Sequence, residues 1–300
     1  NAIGGGTIPQ TLVYGAAAEA ARSRPVNTSI RALVSDGHPI FAGFIVTGSE
    51  SKTVLLRAVG PGLSAFNVPG VLAAPHLRLF DASGQLLLQN DGWGNDSNLA
   101  AAFETVGAFP FAPGSADAAA VTTLAPGAYT IQVVAGSGAS GVALAEVYDA
   151  SSSQSTDTAR FGNMSARGPS AGSGNPLIAG FVISGTSPKR LLVRGIGPGL
   201  TSYGVTDALS DPIVGVYDQN GHLIAQNDNW STPLTVDASQ PASDAATIAA
   251  SASNVGAFAL DAGGRDASVI VTLAPGLYTV QVSGVNNVTG SALAELYELP

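Results

Sequence analysis

Val54-Leu55-Leu56-Arg57-Ala58-Val59-Gly60-Pro61-Gly62-Leu63 returns 137 residues later as Leu191-Leu192-Val193-Arg194-Gly195-Ile196-Gly197-Pro198-Gly199-Leu200. Phe80-Asp81 and Gln89-Asn90-Asp91-Gly92-Trp93 return at the same offset as Tyr217-Asp218 and Gln226-Asn227-Asp228-Asn229-Trp230. Beyond the tryptophans the offset widens to 149, pairing Val106-Gly107-Ala108-Phe109 with Val255-Gly256-Ala257-Phe258. It holds to Ala143-Leu144-Ala145-Glu146-Val147-Tyr148 and its counterpart Ala292-Leu293-Ala294-Glu295-Leu296-Tyr297. The chain reads as a tandem duplication whose second copy carries about twelve extra residues between Trp230 and Val255. A functional residue is best sought among those that occur in both copies.

Each half is punctuated in the same way. Residues 40–46 and 54–59 are short β-branched and aromatic runs bounded by Gly-Ser and Gly-Pro-Gly, which predicts buried strands. Leu77-Arg78-Leu79-Phe80 meets Asp81-Ala82-Ser83-Gly84 before Leu86-Leu87-Leu88. That pattern predicts a hairpin whose Asp starts the turn and whose Gly takes the positive φ. Tyr129, Ile131 and Val133 alternate with Thr130 and Gln132 as in a half-buried strand, and residues 142–148 supply a closing strand. Short helices are expected over residues 98–106 and 244–255, the second opening on an Asp244 cap. Many short strands with Gly/Pro turns about every ten residues predict an all-β chain of two tandem jelly-roll-like β-sandwich domains. The expected boundaries are an N-terminal arm at 1–24, module one at 25–150, a Ser/Thr-rich linker at 151–159 and module two at 160–300.

Composition excludes several classes of function. A formal net charge of −9 and the absence of Lys/Arg clusters argue against nucleic acid. With no cysteine there is neither a disulfide framework nor thiol chemistry. No run approaches the roughly 20 apolar residues of a membrane helix, so no membrane span is expected. The three histidines, His38, His76 and His222, fall at non-equivalent positions, and no catalytic triad, zinc spacing or phosphate loop is present. An enzyme is not expected. A chain that begins at Asn1 and is rich in Ser, Thr, Gly, Ala and Asn fits a secreted protein, extracellular or at the cell surface, whose signal peptide has been removed.

Leu79-Phe80-Asp81-Ala82-Ser83-Gly84, then Asn90-Asp91, then Leu124-Ala125-Pro126-Gly127-Ala128-Tyr129-Thr130-Ile131-Gln132-Val133 resembles the bacterial pre-peptidase C-terminal (PPC-like) domain. The second copy is similar through Val216-Tyr217-Asp218-Gln219-Asn220-Gly221, Asn227-Asp228 and Leu273-Ala274-Pro275-Gly276-Leu277-Tyr278-Thr279-Val280. The resemblance implies a jelly-roll-like sandwich in a secreted bacterial protein, sometimes calcium-binding and sometimes adhesive to carbohydrate or matrix. The Phe44/Phe181 strand and the Arg-x-x-Gly-Pro-Gly-Leu segment lie outside that pattern.

Four sets of residues are candidates for a role. Asn90, Asp91 and Asp96, with Asn227 and Asp228 in the twin loop, offer oxygens for calcium, or else bond their own backbone in Asx turns. Trp93 and Trp230 either cap the core or stack on a sugar ring. Arg57 and Arg194 sit inside apolar strands and require a buried carboxylate, from Asp117 or Glu146 and from Asp266 or Glu295. The arm carries apolar side chains at Ile8, Leu12, Val13 and Tyr14 and is suited to strand addition on a neighbour. No cofactor other than calcium is implied. The function these residues favour is a structural subunit that self-assembles into a filament or surface layer. The alternative is a secreted module binding carbohydrate or extracellular matrix.

Overall fold

The computed structural model describes residues 24–151, 159–172 and 174–300. The arm residues Ile8, Leu12, Val13 and Tyr14 and most of the expected linker lie outside the described residues.

The first half forms β1 (Arg24–Ser35), β2 (Ile40–Thr47), β3 (Lys52–Val59), β4 (His76–Asp81), β5 (Leu86–Asn90), α1 (Ser97–Val106), β6 (Ala118–Leu124), β7 (Gly127–Val134) and β8 (Ser140–Asp149). The second forms β9 (Arg160–Ala171), β10 (Leu177–Ser184), β11 (Lys189–Ile196), β12 (Pro212–Asp218), β13 (Leu223–Asn227), α2 (Ala245–Asn254), β14 (Ala267–Leu273), β15 (Gly276–Gly284) and β16 (Thr289–Glu298). Within the first half the strand orders are β1-β8-β3-β6 and β2-β7-β4-β5. The second half repeats them strand for strand as β9-β16-β11-β14 and β10-β15-β12-β13. Each is the order of a jelly roll, with eight antiparallel strands in two facing sheets.

The halves do not stand apart as separately packed modules. β1 pairs with β10 and β2 pairs with β9, so each four-stranded sheet continues into the other half and the molecule has two eight-stranded sheets. In a lone jelly roll of this order β1, β2, β9 and β10 would be edges with unpaired N–H and C=O groups; mutual pairing satisfies them. One apolar core lies between the sheets and draws on both halves, from Ile30, Phe44 and Leu56 to Phe181, Val193 and Val216.

Local sequence explains the punctuation. At the β4–β5 turn Asp81 Oδ1 accepts the Ser83 and Gln85 backbone N–H groups at 2.8 and 3.0 Å, while Gly84 takes φ +82°. Asp218 does the same for Asn220 and His222, both at 2.8 Å. Asp96 caps α1 through the Asn98 N–H at 2.7 Å, and Asp244 caps α2 through the Thr247 N–H at 2.7 Å. The helices lie on the outer faces. α1 covers β3, β6 and β8 with Leu99, Phe103 and Val106. α2 covers β11, β14 and β16 with Ile248 and Ala252. Each sheet therefore has one half roofed by a helix and one half bare.

The extra residues of the second half form a loop that follows Trp230. Gln240 lies along the outer edge of β14, its Oε1 accepting the Thr272 N–H at 2.9 Å and its Nε2–H donating to the Thr272 carbonyl at 2.8 Å. This side-chain amide takes the place of a neighbouring strand.

Candidate functional site

Arg57 and Glu146 stand opposite one another on β3 and β8, fully buried, with Nε to Oε2 at 3.3 Å. Tyr148 O–H donates to the other carboxylate oxygen at 2.6 Å. The guanidinium carbon lies over Phe103, Phe109 and Phe111 at 4.7, 4.3 and 4.2 Å, a three-ring cage delivered by α1 and the segment after it. The second half repeats the pair as Arg194 and Glu295 at 3.2 Å, with Tyr297 O–H on Glu295 at 2.9 Å. Its cage is thinner: Phe258 alone covers the guanidinium, at 4.3 Å, and its carbonyl accepts from Arg194 Nη1 at 2.8 Å. Burial raises the Glu295 carboxyl above its ordinary range, with Arg194 opposing.

Asp117 and Asp266 are not the arginine partners. Asp117 Oδ1 accepts the Gly60 N–H at 2.7 Å and its Oδ2 the Gly62 N–H at 3.0 Å. Asp266 holds Gly197 at 2.8 Å and Gly199 at 3.2 Å in the same way. The Gly-Pro-Gly segments are thus cradles for an internal carboxylate. Proline at the centre costs nothing, because only the flanking amides donate. Gly60 and Gly197 are obligatory, since a Cβ there would collide with the Leu72 and Leu209 carbonyl oxygens. Asp117→Ala orphans these buried donors and is expected to destabilise by about 3 kcal/mol, read by urea unfolding, whereas an exposed control such as Asp237→Ala has far less to lose.

The tryptophans are buried, which removes them as ligand platforms. Trp93 packs edge-on against Phe111 at 6.0 Å and against Phe103 at 6.2 Å. Trp230 lies under α2 and donates its Nε1–H to the Asp261 carbonyl at 2.9 Å. Most of the side chains considered for calcium make bonds within the chain. Asn90 Oδ1 accepts the Gly92 N–H at 3.0 Å, and Asp96 caps α1. Asp91 meets His76 Nδ1 at 2.8 Å, a contact that holds its carboxyl below the ordinary range. Asn227 is buried and bonds the Ser268 N–H and the Thr232 carbonyl at 3.1 and 2.9 Å. The structure does not bring Asp228 into a cluster, and no group of three metal-ligating side chains occurs among the described residues.

Two features stand out on the surface. The first is the pair of outer ends. At the second-half end the loop after Trp230 and α2 leave Ile270 of β14 8% exposed. At the first-half end its counterpart Val121 of β6 is 43% exposed, and Leu86 and Leu87 of β5 are each 45% exposed. The second is a groove of about 510 Å³ on the bare half of the β2-containing sheet, lined by Phe41, Phe80, Asp81, Thr130, Gln132, Ser165 and Arg167 among others. It crosses the repeat junction, because Ser165 and Arg167 come from β9. Sequence reasoning picks out the recurrence of Arg31 and Arg167 but does not place them in a groove. The signal was present: Gln132, Thr130, Gly43, Ser165 and Arg167 recur at equivalent sites as Gln281, Thr279, Gly180, Ser29 and Arg31.

Comparison with known proteins adds no family. No family model matches the chain, and no curated protein matches it. Among solved structures the chain is similar to the crystal structure of a DUF4785 family protein from Legionella pneumophila, at 9% identity and a TM-score of 0.21, covering 92% of this chain. The chain spans 65% of the length of that protein. No helix among the described residues is long and apolar enough to cross a membrane.

Proposed function

We propose that this protein is an extracellular structural subunit that assembles head-to-tail by strand addition. The observation that carries the reading is the unlike state of two equivalent edges: Gln240 bonds the outer side of β14 at Thr272, whereas β6 carries no such bond among the described residues and holds Val121 outward. An open sheet edge is a template for another strand unless it is blocked. The sequence of residues 7–14 in a second copy offers Ile8, Leu12 and Tyr14 at positions that would share one face of an added strand. An acceptor edge and a donor segment of different sequence give a heterologous contact, which builds an open chain rather than a closed dimer where its rotation does not close. The internal joins support the same logic, since β1–β10 and β2–β9 bury the edges through which the halves would otherwise pair with strangers.

The test is the full chain against a chain lacking residues 1–22, followed by sedimentation velocity and negative-stain electron microscopy. The full chain is expected to form filaments or sheets that grow with concentration, and the truncated chain to remain a folded monomer. A full chain that stays monomeric at about millimolar concentration overturns the proposal.

A further inference from the structure

We infer that the groove across β4, β7, β2 and β9 is a binding site for an acidic saccharide, with Arg167 receiving a sugar carboxylate. This goes beyond the assembly reading and does not depend on it. Residues in register form two outward rows. One runs Arg78, Gln132, Phe41, Arg167 and Leu293; the other runs Phe80, Thr130, Gly43 and Ser165. The guanidinium carbon of Arg167 lies over the Phe41 ring, 4.0 Å from its centroid, and the side chain is half-buried. Among the described residues no carboxylate stands within ion-pair distance of it. Asp207 is near enough to favour its charge but is engaged by Ser291 O–H at 2.8 Å and by His38 at 3.8 Å. A partly desolvated guanidinium with its edge unpaired, fixed by stacking, is prepared for a bidentate anion.

The remaining groups select the class of ligand. Thr130, Gln132 and Ser165 present neutral hydroxyls and an amide, and Phe41 and Phe80 present ring surface. The main-chain groups of this face are consumed by the ladders, so a peptide finds no backbone partner there; a molecule dense in hydroxyls finds many. Gly43 keeps the floor low, since a Cβ at that site would strike the Ser165 hydroxyl. Asp81 closes the opposite end from Arg167, which orients the ligand with its carboxylate at β9 and its hydroxyls at β4. Three strand spacings separate those ends, about 14 Å, which calls for an oligomer rather than one ring. The volume suits a ligand site. The same residues recur on the other sheet as Gln281, Ile178 and Arg31 beside Thr279, Gly180 and Ser29, although there Gly180 and Ser29 are buried.

The experiment is titration calorimetry of the full chain with a galacturonic-acid tetramer, its methyl ester and a tetraglutamate peptide. The free acid is expected to bind, and the ester to bind about tenfold or more weakly. Arg167→Gln is expected to cost a similar factor with an unchanged melting temperature. Gln132→Ala tests the groove at a second site and is expected to weaken the tetramer without touching the cation. Equal affinity for acid and ester overturns the role of Arg167, tetraglutamate binding as tightly overturns the saccharide, and failure of the acid to bind overturns the site. Filament formation is read separately, so a loss of assembly and a loss of binding are distinguishable.

Discussion

Arg57→Ala is expected to destabilise the protein by about 3–5 kcal/mol, more than any surface substitution, because it leaves the buried Glu146 carboxyl without its guanidinium partner and with only the Tyr148 O–H. Its partner is not the only loss. Three phenylalanine rings close around the guanidinium, and its removal leaves a void under α1 that those rings fill only in part. Arg194→Ala is expected to cost less. Its cage has one ring rather than three, and Glu295 retains slight exposure. The Arg194→Ala penalty also responds to acid. Burial already raises the folded-state Glu295 carboxyl, and removing Arg194 raises it further. A carboxyl raised on folding contributes favourably below its unfolded value and loses that contribution as pH rises through the folded one. The Arg194→Ala penalty should therefore shrink on going from pH 7 towards pH 5, as Glu295 takes up a proton and becomes a neutral buried acid. Urea unfolding at the two pH values checks this; a penalty that grows on acidification refutes the assignment. Replacing both Arg57 and Glu146 with apolar residues of matching volume should recover most of the loss, since the pair offsets its own desolvation more than it adds net stability.

How far the sequence was legible depended on whether the information was local. The β4–β5 hairpin was readable because Asp81 and Gly84 do their work within five residues. Both helices were readable, the second from its Asp244 cap. β1 and β9 were not. Asn27-Thr28-Ser29 and Gly162, Asn163, Gly168 and Pro169 suggest irregular chain, yet these are twelve-residue strands. They persist because each lies between two partners at the junction, a tertiary gain that overrides local preference. Pro169 is tolerated because it falls beyond the last β2 pairing, at Arg167. The arginine partner was undecidable from recurrence alone, as Asp117 and Glu146 both recur. What separates them is register: Glu146 lies directly across the ladder from Arg57, and Asp117 precedes its strand at the level of the Gly-Pro-Gly turn. Lys52 with Asp149 at 2.8 Å, and Lys189 with Glu298, form a further repeated ion pair that the same offsets would have exposed. The groove was hidden for a different reason. Its residues are contributed by both halves, and a reading that treats the halves as separate modules never places Arg167 beside Phe41.

Blocking the open edge is expected to abolish assembly outright while leaving the monomer folded. Thr123 is the residue to change. Its counterpart Thr272 has both backbone groups bonded to Gln240 on the outer side, so at equivalent positions the N–H and C=O point away from the ladder. Thr123→Pro therefore removes an outward donor without breaking the β3–β6 pairing, in which Thr123 stands opposite Thr53. A lost donor in the middle of an added strand leaves a buried acceptor unsatisfied in the arriving chain as well as a clash with the ring. A second variant reaches the same end by addition: residues 231–243 transplanted after Trp93 should lay an amide along β6 as Gln240 lies along β14, bringing the exposure of Val121 down towards that of Ile270. Both proteins are expected to sediment as monomers at concentrations where the parent polymerises, with parental unfolding midpoints. Their responses to a detached peptide of residues 1–22 should match: the parent lacking its arm binds the peptide, and neither blocked form does. If the transplanted loop closes β6 and filaments still form, the joint lies elsewhere and the unlike ends have no part in it.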